Sequence, residues 1–184
     1  MSLKHVILVS LANGSATGYE INGQFAAGLG RLWNTSHQAV YRALASMQKE
    51  GLVSFTEARQ TSKPDKKIYQ ITDAGRQCLD RWLLKPQPPT QLNEDLMIKF
   101  FAGEMCPTDR LRDQVSEHLQ YHRQNLASLE MIEQQYQEGE RPLSRRARIQ
   151  QLTLRRGILT ERARVAWCLE AIALLSSMLE LELA

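Results

Sequence analysis

Ser36, His37, Gln38 and Arg42 fall within seven residues at the start of one helical pattern. Gln and Arg can pair with base edges in the DNA major groove, and backbone N–H groups at a helix start can meet phosphate. A second set, Arg59, Lys63, Lys66 and Lys67, lies in and just past the polar stretch RQTSKPDK. Charges of that kind approach phosphate or the minor groove, where they add affinity but little sequence information. The same residues also suit an ordinary amphipathic helix with a solvated face, followed by a loop kept soluble by lysines.

Nothing in the chain points as clearly to catalysis. There is no P-loop, GxGxxG or GxSxG. His118 and His122 are four apart and could share a metal, but Leu119 follows His118, so no HExxH frame exists. A solvated or interface histidine pair is the expected reading, with no cofactor. Cys78, Cys106 and Cys168 are scattered, without CxxC spacing, which fits a reducing cytoplasm and buried thiols rather than a disulfide framework or a redox sensor.

The recognition residues need a rigid support. Val40, Leu44 and Met47, with Ala43 beside them, trace one apolar face from Ser36 to about Glu50. Thr35 or Ser36 caps its start, and Gly51 stands where a helix end favours positive φ. Ahead of it, Leu3–Leu11 reads as a helix with Ile7, Leu8 and Leu11 inward. Asn13-Gly14-Ser15 breaks it, and Thr17 caps a second helix from Gly18 to about Ala27. Gly28 and Gly30 end that helix, and Leu32 and Trp33 anchor the next turn. Behind the central helix, residues 52–56 and 67–71 alternate as two strands around the basic loop. Three helices followed by such a hairpin compose a winged helix–turn–helix. Thr72 and Asp73 cap a fourth helix, stopped by Pro86, Pro88 and Pro89.

The expected boundaries are 1–85 for this domain, 86–91 for a Pro-rich linker and 92–184 for a helical domain. Residues 1–85 hold 11 Lys and Arg against 6 Asp and Glu, giving +5; residues 86–184 hold 12 against 14, giving −2. A basic front and a slightly acidic rear suit a nucleic-acid module joined to a protein-contact module. In the rear half, a short helix at 92–104 precedes two long ones, about 108–137 and 143–183, forming an antiparallel hairpin. The last helix has more apolar surface than one partner can cover, so a second subunit is expected against it. Arg155, Arg156, Arg162 and Arg164 are expected to pair with Glu of a neighbouring helix. The longest uncharged run there is nine residues, Ala171–Leu179, too short for a membrane span.

The ordered series Gly18-Tyr19-Glu20, Trp33, Val40-Tyr41-Arg42-Ala43-Leu44, Glu50-Gly51-Leu52-Val53, Lys67-Ile68-Tyr69 and Ile71-Thr72-Asp73-Ala74-Gly75-Arg76 resembles the PadR family of bacterial transcriptional regulators. Met47 departs from the family's usual leucine, a change of packing only. MSLKHVIL at the start, Lys63-Pro64-Asp65-Lys66-Lys67 and LTLRRGIL at Leu152–Leu159 resemble its AphA-like branch, while residues 87–148 match more loosely. The resemblance implies a homodimer, a double-stranded operator with two related half-sites, and Tyr41 as a phosphate contact. On its own chemistry, Tyr41 suits core packing with a polar tip equally well.

Two copies of the central helix, held about 34 Å apart, would address successive turns of one DNA face. Leu152, Leu159, Ala166, Leu169 and Ile172 are the expected dimer seam. Some members of the family respond to phenolic or other hydrophobic molecules held between the two domains. Trp33, Trp82, Trp167, Tyr121 and Tyr136 are the aromatic residues for such a cavity, or plain core. The alternatives are a winged-helix adaptor that binds protein and a ligand-responsive sensor with weak DNA binding.

Overall fold

A computed structural model describes residues 3–26, 36–58, 66–87, 94–138 and 143–182 of the 184-residue chain. Gly28, Gly30, Leu32, Trp33, Thr35, Arg59, Lys63, Pro64 and the 88–91 part of the linker lie outside the described residues. The chain divides into two compact units, residues 1–88 and 89–184.

In the first unit, α1 (Leu3–Ala12) buries Ile7, Leu8 and Leu11. The two residues Ala16–Thr17 form β1, and α2 comes next at Gly18–Ala26. Thr17 Oγ1 accepts from the Glu20 N–H at 3.2 Å, and the Glu20 carboxylate accepts from the Thr17 N–H at 2.7 Å. This reciprocal cap satisfies two N–H groups and holds the Glu20 carboxyl below its ordinary range, chiefly through the Thr17 backbone bond.

Helix α3 (His37–Lys49) starts at Ser36, whose Oγ accepts from the Ala39 N–H at 3.2 Å. It buries Val40, Leu44 and Met47. Each such burial is worth about 1.5–3 kcal/mol, enough to fix how the helix is rotated. Gly51, at φ +70°, turns the chain into β2 (Val53–Ala58), which pairs antiparallel with β3 (Lys66–Ile71). β1 adds to the other edge of β3, with Ala16 opposite Tyr69, so the sheet order is β1-β3-β2. Two strands were expected; the third is only two residues long and pairs through its backbone.

Thr72 ties the end of α3 to the next helix, α4 (Asp73–Leu84). Its hydroxyl donates to Gly51 O at 2.7 Å and accepts from the Gly75 N–H at 3.1 Å, which caps α4. The core gathers residues of all four helices and of the sheet, with Ile21, Tyr69 and Leu79 among them.

The second unit holds α5 (Asp95–Ala102), a 3-10 turn at Gly103–Met105, α6 (Thr108–Glu138) and α7 (Arg145–Glu182). Cys106 sits at the end of the 3-10 turn rather than within a helix. Ser144 caps α7 by accepting from the Ala147 N–H. The two long helices run antiparallel: Tyr136 donates to Gln150, Arg155 pairs with Glu133 and Arg162 with Glu130. Leu111, Val115, Leu119 and Leu129 of α6 are buried, as are Leu154, Ile158, Cys168, Ala171 and Leu175 of α7. Among the described residues no helix is long and apolar enough to cross a membrane. The architecture is mainly α, with a small β-wing module followed by long antiparallel helices.

The joint between α3 and α4 has no room for a methyl group. A Cβ on Gly75 would lie 2.2 Å from Leu52 O and 2.8 Å from Ile71 Cγ1. Gly75→Ala is therefore expected to cost about 1–3 kcal/mol in urea unfolding of the full chain; an unchanged midpoint would show that the joint yields.

Candidate nucleic-acid interface

Because α3 turns Val40, Leu44 and Met47 inward, its other side carries Ser36, His37, Gln38, Tyr41 and Arg42, all exposed. These five sit on the first two turns, where backbone N–H groups also face outward. The Tyr41 ring lies against the backbone of Gly18: a Cβ there would come 2.6 Å from Tyr41 Cε1. The residue is nevertheless 48% exposed. It packs on α2 and also reaches solvent.

Three side-chain contacts hold the frame of this surface. Lys4 of α1 donates to Glu50 Oε2 at 2.8 Å, and Ser46 donates to Glu50 Oε1 at 3.0 Å. The Lys4 bond leads in keeping the Glu50 carboxyl below its usual range, and the same bond raises the Lys4 ammonium. At the other end, Asn22 Nδ2 lies 2.9 Å from His37 Nε2, joining α2 to α3. Sequence reasoning missed Asn22; no motif or period marks it.

On the wing, Lys66 and Lys67 open β3 and are exposed. They differ in what they touch. Lys67 Nζ sits 4.2 Å from the centre of the Phe55 ring and stands opposite Glu57, so its charge is partly engaged within the hairpin. Lys66 stands opposite Ala58. Arg59 and Lys63 lie outside the described residues.

The other expected sites belong to the second unit, apart from Trp82, which stacks on His5 at 4.5 Å. Leu152 and Leu159 are 71% and 53% exposed, and Ala166 and Leu169 are exposed too. Ile172 is partly buried against the unit's own core. His122 Nδ1 donates to Glu161 Oε2 at 2.7 Å, and both side chains are buried. Arg164 bridges Glu161 and Glu94. Of the four expected arginines, Arg155 and Arg162 pair with Glu of α6, and Arg164 with Glu94 at the start of α5. Trp167 meets Phe100 edge-on, and Tyr121 lines a cleft of about 650 Å³ with Leu96, Lys99, His118 and Arg164. Among the described residues no group of three or more His, Cys, Asp or Glu could hold a metal. Burial raises the Cys168 thiol above its ordinary value and leaves little thiolate.

Comparison with known proteins agrees with this arrangement in both units. Residues 7–81 match the Transcriptional regulator PadR-like family, and residues 92–176 match the Virulence activator alpha C-term family. The chain is 32% identical over 177 residues to a probable transcriptional regulator of Mycobacterium tuberculosis, covering 91% of this chain and 94% of the relative. The virulence activator AphA of Vibrio cholerae superposes with a TM-score of 0.78 at 34% identity, covering 96% and 99% of the two chains. PadR of Bacillus subtilis in complex with operator DNA gives 0.77 at 27% identity, covering 94% and 97%. The same PadR in complex with p-coumaric acid gives 0.70 at 26%, covering 95% and 98%. PadR of Bacillus subtilis is also 30% identical over 143 residues, which span 79% of its length. The chain belongs to the PadR family of transcriptional regulators, with AphA-like features.

Proposed function

We propose that the protein works as a homodimer on a two-fold operator, residues 1–85 binding DNA and 92–184 dimerising. Each copy lays α3 in the major groove. One observation carries the reading: α3 buries Val40, Leu44 and Met47 and leaves Ser36, His37, Gln38, Tyr41 and Arg42 exposed together at its N-terminal end. Gln38 and Arg42 read base edges, Ser36 and the helix start meet phosphate, and the half-exposed Tyr41 contributes a phosphate contact. Arg59, Lys63, Lys66 and Lys67 bring charge to the backbone or minor groove.

Dimerisation uses the side of α7 turned away from α6. Leu152, Leu159 and Ala166 recur every seven residues and Leu169 flanks them; all four are exposed, with Ile172 bordering the core. An apolar stripe of this length on a lone hairpin is costly in water and suits a second copy of the same helix.

A second reading adds a small effector. The PadR relative solved with p-coumaric acid motivates it, and the cleft beside Tyr121 offers an aromatic ring an apolar wall, with Lys99 and Arg164 set among Glu94, Asp95 and Glu117.

Three outcomes are expected. In a gel shift on a duplex selected from a random pool, Gln38→Ala relaxes preference at particular bases by about 1–3 kcal/mol, whereas Lys63→Ala with Lys66→Ala weakens all sequences alike and flattens the salt dependence. Wild-type affinity in both variants at equal salt contradicts the groove assignment. Sedimentation at micromolar concentration shows a dimer that Leu152→Glu with Leu159→Glu turns into monomer; a wild-type monomer removes the dimer. Millimolar p-coumarate lowers operator affinity if the effector reading is right, and an unchanged shift across phenolic acids rejects it.

A further inference from the structure

Asn22 is the one buried polar side chain of the first unit among the described residues, at 9% exposure. It follows Ile21, which is fully buried, and α2 packs directly against α3. An aliphatic residue would suit such a position better, because the Asn22 Oδ1 is buried with no hydrogen-bond partner. The side chain therefore does not serve its own satisfaction. Its side-chain bond goes to His37, the first residue of α3, through Nδ2 and Nε2 at 2.9 Å.

That contact has a chemical consequence. An amide nitrogen can only donate, so the imidazole Nε2 accepts. A ring accepting there is neutral and carries its proton on Nδ1. The Tyr19 ring, 6.4 Å away and tilted by 33°, stands beside the imidazole as a further wall. We propose that Asn22 is a positioning residue for DNA recognition: it fixes His37 as the Nδ1–H tautomer and presents the ring to DNA as a hydrogen-bond donor. In the major groove a donor is accepted by N7 or O6 of guanine, N7 of adenine or O4 of thymine, and is disfavoured by the amino group of cytosine. The proposal rests on the DNA-binding reading and adds a specificity determinant that does not itself touch DNA.

Two measurements on the full chain test it. Long-range proton–nitrogen spectra of the labelled protein at neutral pH report the tautomer without any DNA. Wild type is expected to show the proton on His37 Nδ1. Asn22→Asp, whose carboxylate only accepts, is expected to move a proton to Nε2. Selection from a random pool then compares wild type, His37→Ala, Asn22→Asp and Asn22→Leu. His37→Ala relaxes one base position, and Asn22→Leu relaxes the same position by roughly fivefold, the loss of one neutral hydrogen bond. Asn22→Leu fills the core, so a melting temperature at or above wild type separates this effect from unfolding. A wild-type ring protonated on Nε2, or Asn22 variants that keep the preference His37→Ala relaxes, overturns the proposal alone. A wild type that selects no motif at all fails the DNA-binding reading, and this proposal with it.

Discussion

Burial of Val40, Leu44 and Met47 is the constraint on which the rest of the first unit depends. A helix has only one rotation that hides those three side chains, and that rotation leaves the opposite face in water. Every other feature of the unit defends the setting. Lys4 holds Glu50 at one end and Asn22 holds His37 at the other, while Thr72 clips the joint that leads into α4. None of these polar contacts is strong alone, and exposed ion pairs such as Lys4–Glu50 are weakened by salt. Their effect is positional: they remove the small rotations that burial alone would tolerate.

The second unit solves a different problem with the same material. Helix α7 is apolar on two sides. One side closes on α6 through Leu154, Ile158 and Leu175, and Arg162, Arg155 and Arg164 pair along its margins. The other side, with Leu152 and Leu159, remains in water. A finished inner seam beside an apolar outer stripe is the arrangement that the proposed dimer would use. The buried His122–Glu161 bond joins the two long helices at one point, and Arg164 adds a second bond to the same carboxylate.

Much of this was legible in the chain. The spacing of Val40, Leu44 and Met47, the caps at Ser36 and Thr72, and Gly51 at positive φ are local signals, and local signals survive folding. The pairing of β1 was not legible, because Ala16 and Thr17 join the sheet by backbone bonds that carry no side-chain pattern. Nor was Asn22, whose partner lies fifteen residues on and reaches it only through the packing of α2 on α3. Lys67 read as a free wing charge, yet the hairpin register sets it over Phe55. On α7 the apolar period was clear but its two sides were not separable: Ile172 turned towards the core while Leu152 and Leu159 faced out, and only the position of α6 decides which is which.

The claim that everything else requires is that the free face of α3 sits in the major groove. Methylation protection at guanine N7 reads that groove directly, on the selected duplex with the intact protein. Two protected patches about one helical turn apart on one face of the DNA are expected. Full binding with every N7 still reactive would contradict it.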